Sequence, residues 1–337
     1  MFFLLCLSAP LSKRFMTEFS KARTVKVNSE ISGQRLDNYL IKMLKGLPKS
    51  RIYRIIRKGE VRVNGKRCKP DVRLIPGDQV RVPPIKHLPA RSSAVGNFHD
   101  TESLIVYEDE TLLVINKPEG MAVHGGSGIS VGIIESLREI RPEGNRLELV
   151  HRLDRGTSGC LMISKRRSYL RLLQNALRKP GQIKKHYLAL VHGRWSEKLV
   201  TIDEHLLTKS IAGKERVTKV SRLGKYALTD FKLLESSEDM SIVKASPKTG
   251  RTHQIRVHAR WARHPIAGDQ RYGDEILDRV SGISGRLMLH AAELQIPALG
   301  ERPAIHAKAL LDMGFQSHLI NNFPIKSDYI QSFMKVL

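Results

Sequence analysis

One aspartate of the chain lies between a histidine and two arginines on a single short segment. Residues 151–159 read His-Arg-Leu-Asp-Arg-Gly-Thr-Ser-Gly, and the apolar residues 160–163 follow directly. Because adjacent positive charge favours the ionised form of a carboxylate, Asp154 is predicted to be available as a nucleophile or base. The glycines and the apolar run predict a tight loop beside a buried strand. The alternative interpretation is a surface aspartate paired with arginine in a turn.

Two further segments hold side chains that could act with such a carboxylate. Tyr187 lies in a predicted strand, residues 183–191, where a phenol can stack on a base, transfer a proton or simply pack in a core. Residues 247–258 read Pro-Lys-Thr-Gly-Arg-Thr-His-Gln-Ile-Arg-Val-His and permit either a strand or a helix over about residues 252–263. On a helix, Arg251 would lie at the N-terminus and would stabilise a carboxylate there. An RNA-contacting or surface arginine is the alternative.

The histidines and cysteines do not match a known metal site. His253 and His258 have no acidic residue at the spacing of an H-E-x-x-H motif, and the three cysteines include no CxxC pair. The glycines in residues 124–128 could approach a phosphate but follow no nucleotide-binding pattern, so a structural turn is favoured. We therefore predict no metal, no cofactor and no disulfide framework, in keeping with a reducing cytoplasm.

The charge of the chain indicates a polyanionic partner. Lys and Arg total 57 against 33 Asp and Glu, a formal net charge of +24, and nucleic acid is the usual partner of such a surplus. Residues 16–90 carry half of that net charge. Because 337 residues suggest about two domains, the basic segment is predicted to be a separate binding module.

The basic segment reads as two helices and a small hairpin sheet. Apolar residues at helical spacing over residues 36–44 predict the first helix, and residues 49–58 predict the second. The dipeptide Asn64-Gly65 predicts a hairpin turn. On the second helix, isoleucines face a core and the opposite face is cationic, which indicates RNA binding, with a solvated helix face as the alternative. The cationic residues assigned to RNA binding are Lys49, Arg51, Arg54 and Lys58.

Composition also predicts the domain boundaries. Residues 1–20 are predicted to be a disordered leader, or translation starts at Met16, because the apolar stretch near the start is too short for a secretory signal or a membrane span. Residues 21–82 form the basic domain. Residues 83–101, rich in proline and serine, form a linker, and residues 102–337 form the second domain.

These motifs resemble two known families. The pattern His-Arg-Leu-Asp-x-x-Thr-Ser-Gly of residues 151–159 resembles the signature loop of the RluA family of pseudouridine synthases. The pattern of residues 48–65, with Pro76-Gly77-Asp78, resembles an S4 domain, a module that binds structured RNA in its family. Further segments extend the first resemblance: Asn116-Lys117-Pro118, residues 124–128, 185–193, 247–258, 267–273 and 286–291.

The resemblance implies an α+β fold, with a mixed, largely antiparallel sheet in a catalytic domain that follows a small S4 domain. It implies that Asp154 is the catalytic residue and that Arg251 is its ion-pair partner. The expected substrate-binding residues are Arg152, Tyr187, Arg251 and Leu289. Of these, Tyr187 and Leu289 are expected to lie against the target base. Pseudouridine formation involves no net redox change and no hydrolysis, so the resemblance also implies that no cofactor is needed.

The expected partner is 23S rRNA, modified by a monomer in the cytoplasm without membrane attachment. A synthase of the same family that acts on other rRNA or tRNA sites would share every catalytic residue. A non-catalytic S4-type ribosome-assembly factor is a further alternative, disfavoured because a scaffold has no reason to combine Asp154, Tyr187 and Arg251. An RNA hydrolase would release uracil or shorten the RNA.

Overall fold

The computed structural model of the chain describes residues 22–44, 47, 49–85, 101–125, 131–210, 216–283 and 285–334. The predicted leader 1–20, most of the predicted linker 83–101 and the glycines at 126 and 128 lie outside these residues. The chain divides into two compact units, Met1–Ala94 and Val95–Leu337.

The first unit contains the two predicted helices and the predicted hairpin. Within its described residues, one sheet has the strand order β1-β4-β2-β3 with antiparallel pairing throughout. Asn64 and Gly65 have φ of 50° and 76°, as the turn between β2 and β3 requires. Ile85, beyond the predicted boundary at residue 82, belongs to the same core. The elements are β1 (Arg23–Lys26), α1 (Leu36–Met43), α2 (Lys49–Arg57), β2 (Arg62–Val63), β3 (Lys66–Arg67) and β4 (Gln79–Val82).

Helix α2 has the two faces that its sequence predicts. Ile52, Ile55 and Ile56 are buried in the core of the unit. Arg51, Arg54 and Lys58 are exposed, and the side chain of Lys49 lies outside the described residues. The exposed guanidinium and ammonium groups therefore remain available for phosphate contacts.

The second unit is built around a large sheet. Its elements are β5 (Ile105–Glu108), β6 (Leu112–Lys117), α3 (Ile133–Ile140), β7 (Glu148–Leu149), β8 (Ser158–Ser164), α4 (Arg167–Arg178), β9 (Lys184–His192), β10 (Thr201–Asp203), β11 (Leu206–Ser210), β12 (Arg216–Val220), β13 (Leu228–Ser236), β14 (Met240–Pro247), α5 (Gln254–Trp261), α6 (Glu275–Val280), β15 (Leu289–Ile296), β16 (Ile305–Lys308), α7 (Met313–Asn322) and α8 (Asp328–Gln331).

The strand order confirms a mixed, largely antiparallel sheet. The order is β10-β13-β14-β9-β15-β8-β6-β5, with β16 on β15 and β7 on β8. Among the described strands, β8 and β15 form the one parallel pair. Apolar side chains on both faces of the central strands form the core of the unit. Strands β11 and β12 form a separate hairpin in the segment for which the sequence offered no motif.

Strand β8 carries the segment that follows Asp154, and every residue of it is buried. A Cβ at Gly159 would lie 2.3 Å from the carbonyl oxygen of Ala291 on β15, and its φ is 103°. Only glycine fits this close approach of two backbones. The glycine therefore holds the start of β8, and the loop before it, against β15.

One alternative that the sequence left open is settled by the structure. The segment that permitted a strand or a helix forms α5, which begins at Gln254. Across the described ranges, every helix is too short or too polar to span a lipid bilayer.

Candidate active site

Asp154 lies on the loop before β8, and a buried lysine holds that loop in place. Lys117, at the end of β6, is fully buried. Its ammonium donates to the carbonyls of Pro118 (2.7 Å), Met121 (2.8 Å) and Arg155 (3.1 Å). Burial lowers the pKa of Lys117 to about 7, although the charges of Glu119 and Asp154 act in the opposite direction. Three donors thus meet three acceptors and fix the residue next to Asp154.

The ion-pair partner of Asp154 is Arg256, on α5. Its Nη1 donates to Oδ2 of Asp154 at 2.9 Å. Its Nε and Nη2 donate to both oxygens of Asp269 at 2.7 Å. Asp269, whose side chain is fully buried, also accepts from the backbone amides of Arg271 and Tyr272. The two-point contact with Asp269 therefore aims the remaining nitrogen of Arg256 at Asp154.

The charges of this cluster stabilise one another. Burial alone would lower the pKa of Arg256, but the hydrogen bonds and charges of Asp269 and Asp154 raise it above its usual value. Burial would likewise raise the pKa of Asp269, but the hydrogen bonds and the charge of Arg256 act against burial, and the pKa lies below its usual value. Asp269 is saturated with donors. It therefore holds Arg256 in place and is not free to exchange protons with a substrate.

Asp154 itself remains partly accessible. Its side chain is 20% exposed, and within the described residues no donor contacts its Oδ1 atom. Arg152, two residues earlier, is exposed at the same loop. One carboxylate oxygen is thus held by Arg256 and the other is open to an incoming group.

An imidazole also faces Asp154. Nε2 of His253 lies 3.7 Å from Oδ2 of Asp154, too far for a hydrogen bond. On the other side of the ring, Nδ1 is 2.7 Å from the hydroxyl of Tyr272. Burial lowers the pKa of His253, against the opposing effect of the Asp154 charge. Burial therefore favours the neutral form of the imidazole.

Tyr187 and Leu289 project from one face of two adjacent strands. Leu289 of β15 lies opposite Ala189 of β9, two residues after Tyr187, so the three side chains share a face. Leu289 is 3% exposed. Burial, and secondly the charge of Asp154, raise the pKa of Tyr187 above its usual value, which leaves its hydroxyl protonated. The charge of Asp154 thus acts on Tyr187, and Leu289 lies on the same sheet face as that ring.

The predicted pairing of Arg251 with Asp154 is wrong. Arg251 is exposed, and its Nε donates to the carbonyl of Tyr226 at 2.8 Å. Because α5 begins three residues after Arg251, its first turn carries Arg256 toward Asp154 instead. Both arginines belong to the same quoted motif, and Asp269 to another. A helix that begins at Gln254, and not next to Arg251, would have offered Arg256 as a candidate.

Among the described residues, no three histidine, cysteine or acidic side chains are grouped so that they could hold a metal ion. The side chains gathered at the site offer a carboxylate with one open oxygen, a fixed guanidinium and an apolar wall. This set can stabilise an attacking anion and hold a planar base.

Comparison with known proteins identifies the family. The sequence pattern of RNA pseudouridylate synthases matches residues 111–261, and that of the S4 domain matches residues 34–80. A protein of Escherichia coli strain K12, "Ribosomal large subunit pseudouridine synthase C", is 47% identical over 308 residues, which cover 89% of this chain and 96% of that protein. The protein of the same description from Haemophilus influenzae is 48% identical over 84% of this chain and 90% of its own length.

The chain belongs to the RNA pseudouridylate synthase family. Solved structures agree: "Human RNA Pseudouridylate Synthase Domain Containing 4" superposes with a TM-score of 0.54 at 26% identity over 65% of this chain and 94% of its own. A second structure, "Human RNA Pseudouridylate Synthase Domain Containing 1", superposes with a TM-score of 0.53 at 27% identity. The match covers 68% of this chain and 93% of that structure's chain. The chain is therefore an RNA pseudouridine synthase with an S4 domain. Its family match includes Asp154, Tyr187 and Arg256 and ends before Asp269 and Leu289.

Proposed function

We propose that this synthase isomerises specific uridines of large-subunit (23S) rRNA, with Asp154 as the catalytic carboxylate. The observation that carries the proposal is the state of Asp154, which is held by Arg256 through one oxygen and open at the other. The relatives named for the large ribosomal subunit support the substrate. The net charge of +24 supports a polyanionic substrate such as RNA.

The reaction conserves all atoms of the uridine. The bond between C1′ and N1 breaks, the uracil turns within the site, and C1′ bonds to C5. The proton on C5 is lost to solvent and N1 gains one. Glycoside hydrolases use two carboxylates to activate or replace water, whereas this reaction must keep water out. One open carboxylate suits it, because Asp269 is occupied by Arg256 and two amides.

Tyr187 and Leu289 are proposed to hold the target base, and Arg152, which is exposed on the Asp154 loop, to bind the RNA substrate. Moving the target uridine out of its base stack costs a few kcal/mol. Uridines in loops are therefore the favoured targets, because they are already partly unstacked. We further propose that the enzyme acts as a monomer in the cytoplasm, during assembly of the large subunit.

The substrate is tested by mapping pseudouridines in a strain that lacks this gene. We expect carbodiimide-dependent reverse-transcription stops to vanish at particular 23S rRNA positions and to return with the wild-type gene. Mass spectrometry of treated transcript should show no free uracil. Unchanged 23S stops, with stops lost from tRNA or small-subunit rRNA, would instead favour the alternative that the enzyme acts on other RNA.

The exposed face of α2 is proposed to bind RNA backbone. Replacing Arg51 and Arg54 together by alanine should raise the Kd for transcript about tenfold and lower the salt dependence of binding by about two ions. Turnover at saturating RNA should not change, because these side chains lie in the other unit from Asp154. Binding measured by filter retention over a salt series gives both numbers.

A matched control removes the same charge from the same unit. Arg23 and Lys26 are exposed on β1, and their double alanine variant lowers the net charge equally. We expect it to bind RNA nearly as wild type does. Equal weakening by both double variants would mean that only total charge matters, and would count against the α2 face as a specific contact.

A further inference from the structure

A chain of hydrogen bonds connects the β11–β12 hairpin to the side of the proposed catalytic carboxylate. The backbone amide of Thr218, on β12, donates to the hydroxyl of Tyr272 at 3.0 Å. That hydroxyl lies 2.7 Å from Nδ1 of His253. The other ring nitrogen of His253 faces Oδ2 of Asp154 at 3.7 Å. Tyr272 and His253 thus connect the backbone amide of Thr218 to the site.

The direction of these bonds determines where the imidazole proton lies. The Tyr272 oxygen accepts from the amide of Thr218, and among the described residues Nδ1 of His253 is the one acceptor that its O–H group contacts. With Nδ1 as the acceptor, the proton of a neutral ring lies on Nε2. That N–H group faces Asp154. The tautomer is therefore fixed by a residue that does not itself touch the carboxylate.

The backbone and ring contacts of His253 hold this orientation. His253 precedes α5 with φ of 54° and ψ of 24°, a left-handed conformation that asparagine, aspartate and histidine adopt more often than other residues with a side chain. Its ring packs edge-on against Tyr272 at 5.4 Å, and its side chain is 12% exposed. The ring is thus held at Nδ1, and Nε2 is left facing Asp154.

We propose that His253 is a positioning residue for Asp154: its neutral imidazole presents an Nε2–H group that orients Oδ2 and leaves Oδ1 to the substrate. This inference rests on the proposed function. The distance of 3.7 Å shortens to a hydrogen bond when the target uridine fills the site, as such contacts do in substrate complexes. A protonated ring would instead add a second cation beside Arg256 and reduce the reactivity of the carboxylate.

The groups that face the imidazole set its protonation. Asp154 and Asp269 favour the protonated form by charge, while Arg256 and Arg152 oppose it. Burial opposes it more strongly than any of them. The Tyr272 hydroxyl acts in the same direction, because a second proton on Nδ1 would break its hydrogen bond.

Two substitutions of His253 distinguish the contribution of Nε2 from that of Nδ1. Glutamine can place an amide N–H where Nε2 lies, so His253→Gln keeps the donor to Asp154 and loses the bond to Tyr272. Asparagine reaches only the Nδ1 position and tolerates the left-handed backbone, so His253→Asn keeps the bond to Tyr272 and loses the donor. Rates are measured by tritium release from 23S transcript labelled at C5 of uridine, with full-length protein.

We expect kcat to fall about 30-fold in His253→Asn and less than about fivefold in His253→Gln, with KM within about twofold of wild type in both. A purely structural histidine predicts the reverse order, because asparagine suits the backbone and retains Tyr272. A His253→Asn enzyme as fast as, or faster than, His253→Gln overturns the proposal.

A second variant tests the tautomer and does not depend on the folding of the first two. Tyr272→Phe keeps the ring beside Arg256 and removes the hydroxyl, so a second proton on Nδ1 no longer breaks a bond and the pKa of His253 rises. The acid limb of the kcat profile should then move up by about one pH unit, and His253→Gln in the same chain should abolish the shift. An unchanged acid limb in Tyr272→Phe also overturns the proposal.

The wild-type protein and Asp154→Ala are measured in the same assay. If the wild type forms no pseudouridine in 23S transcript, or Asp154→Ala still does, the proposed function fails. If the wild type is active and Asp154→Ala inactive, but the His253 order is reversed, only the role of His253 fails.

Discussion

Asp154→Ala is expected to abolish pseudouridine formation while RNA binding stays within about twofold of wild type. The variant removes the open oxygen that we propose adds to the base or the sugar, or takes up a sugar proton, and no neighbouring group replaces it. Loss of a group of this kind lowers kcat by about 10⁴-fold or more. Tritium release from C5-labelled 23S transcript measures turnover, and filter retention measures the Kd.

Asp154→Asn is the matched variant, because it keeps the shape of the side chain and removes its charge. It should be as inactive as alanine if the ionised oxygen does the chemistry. Loss of the carboxylate also leaves Arg256 with one partner in place of two, so the unfolding temperature must be measured for both variants. Pseudouridine formed at more than about a hundredth of the wild-type rate by either folded variant would contradict the assignment.

The first unit could be predicted almost completely, because its signals are local. The apolar positions of α1 and α2 recur at helical spacing, and Asn64-Gly65 marks the turn between β2 and β3. Buried isoleucines and exposed arginines of α2 follow from the same period. Strand β1 was missed, since four residues with mostly exposed side chains carry no buried pattern.

The site could be predicted only as far as its motifs are contiguous. The Asp154 loop, Tyr187 and Leu289 each lie in a short recognisable segment, and the sheet places the last two on one face. The arginine was misassigned because the helical interpretation placed Arg251 at the helix N-terminus, whereas the helix begins three residues later, at Gln254. Only the helix beginning at Gln254 directs Arg256 to Asp154.

Asp269 and His253 were missed as site residues for a different reason. The role of Asp269 depends on a partner 13 positions away and on its complete burial, neither of which a pattern of residue types reveals. His253 was weighed only as a metal ligand. Its bond to Tyr272, which in turn accepts from the amide of Thr218 on β12, joins residues far apart in sequence, and residue types alone do not reveal such contacts.

Arg256→Lys is expected to lower kcat about 100-fold although the positive charge is retained. A lysine ammonium can reach one of the two carboxylates but cannot contact both oxygens of Asp269 and Asp154 together, because it lacks the planar fork. Asp154 would then lose its orientation or the buried Asp269 would lose two donors. The second outcome also lowers the free energy of unfolding by about 2 kcal/mol. Tritium release and chemical denaturation measure the two effects.

The same substitution five residues earlier serves as the control. Arg251 is exposed and contacts a backbone carbonyl through Nε, so Arg251→Lys should leave kcat within about threefold of wild type and stability within about 0.5 kcal/mol. A larger loss of kcat in Arg251→Lys than in Arg256→Lys would return the ion-pair role to Arg251 and contradict the geometry of α5. Because both variants make the same exchange of side chains within one motif and retain the charge, their difference reports the contacts of Arg256 with Asp154 and Asp269.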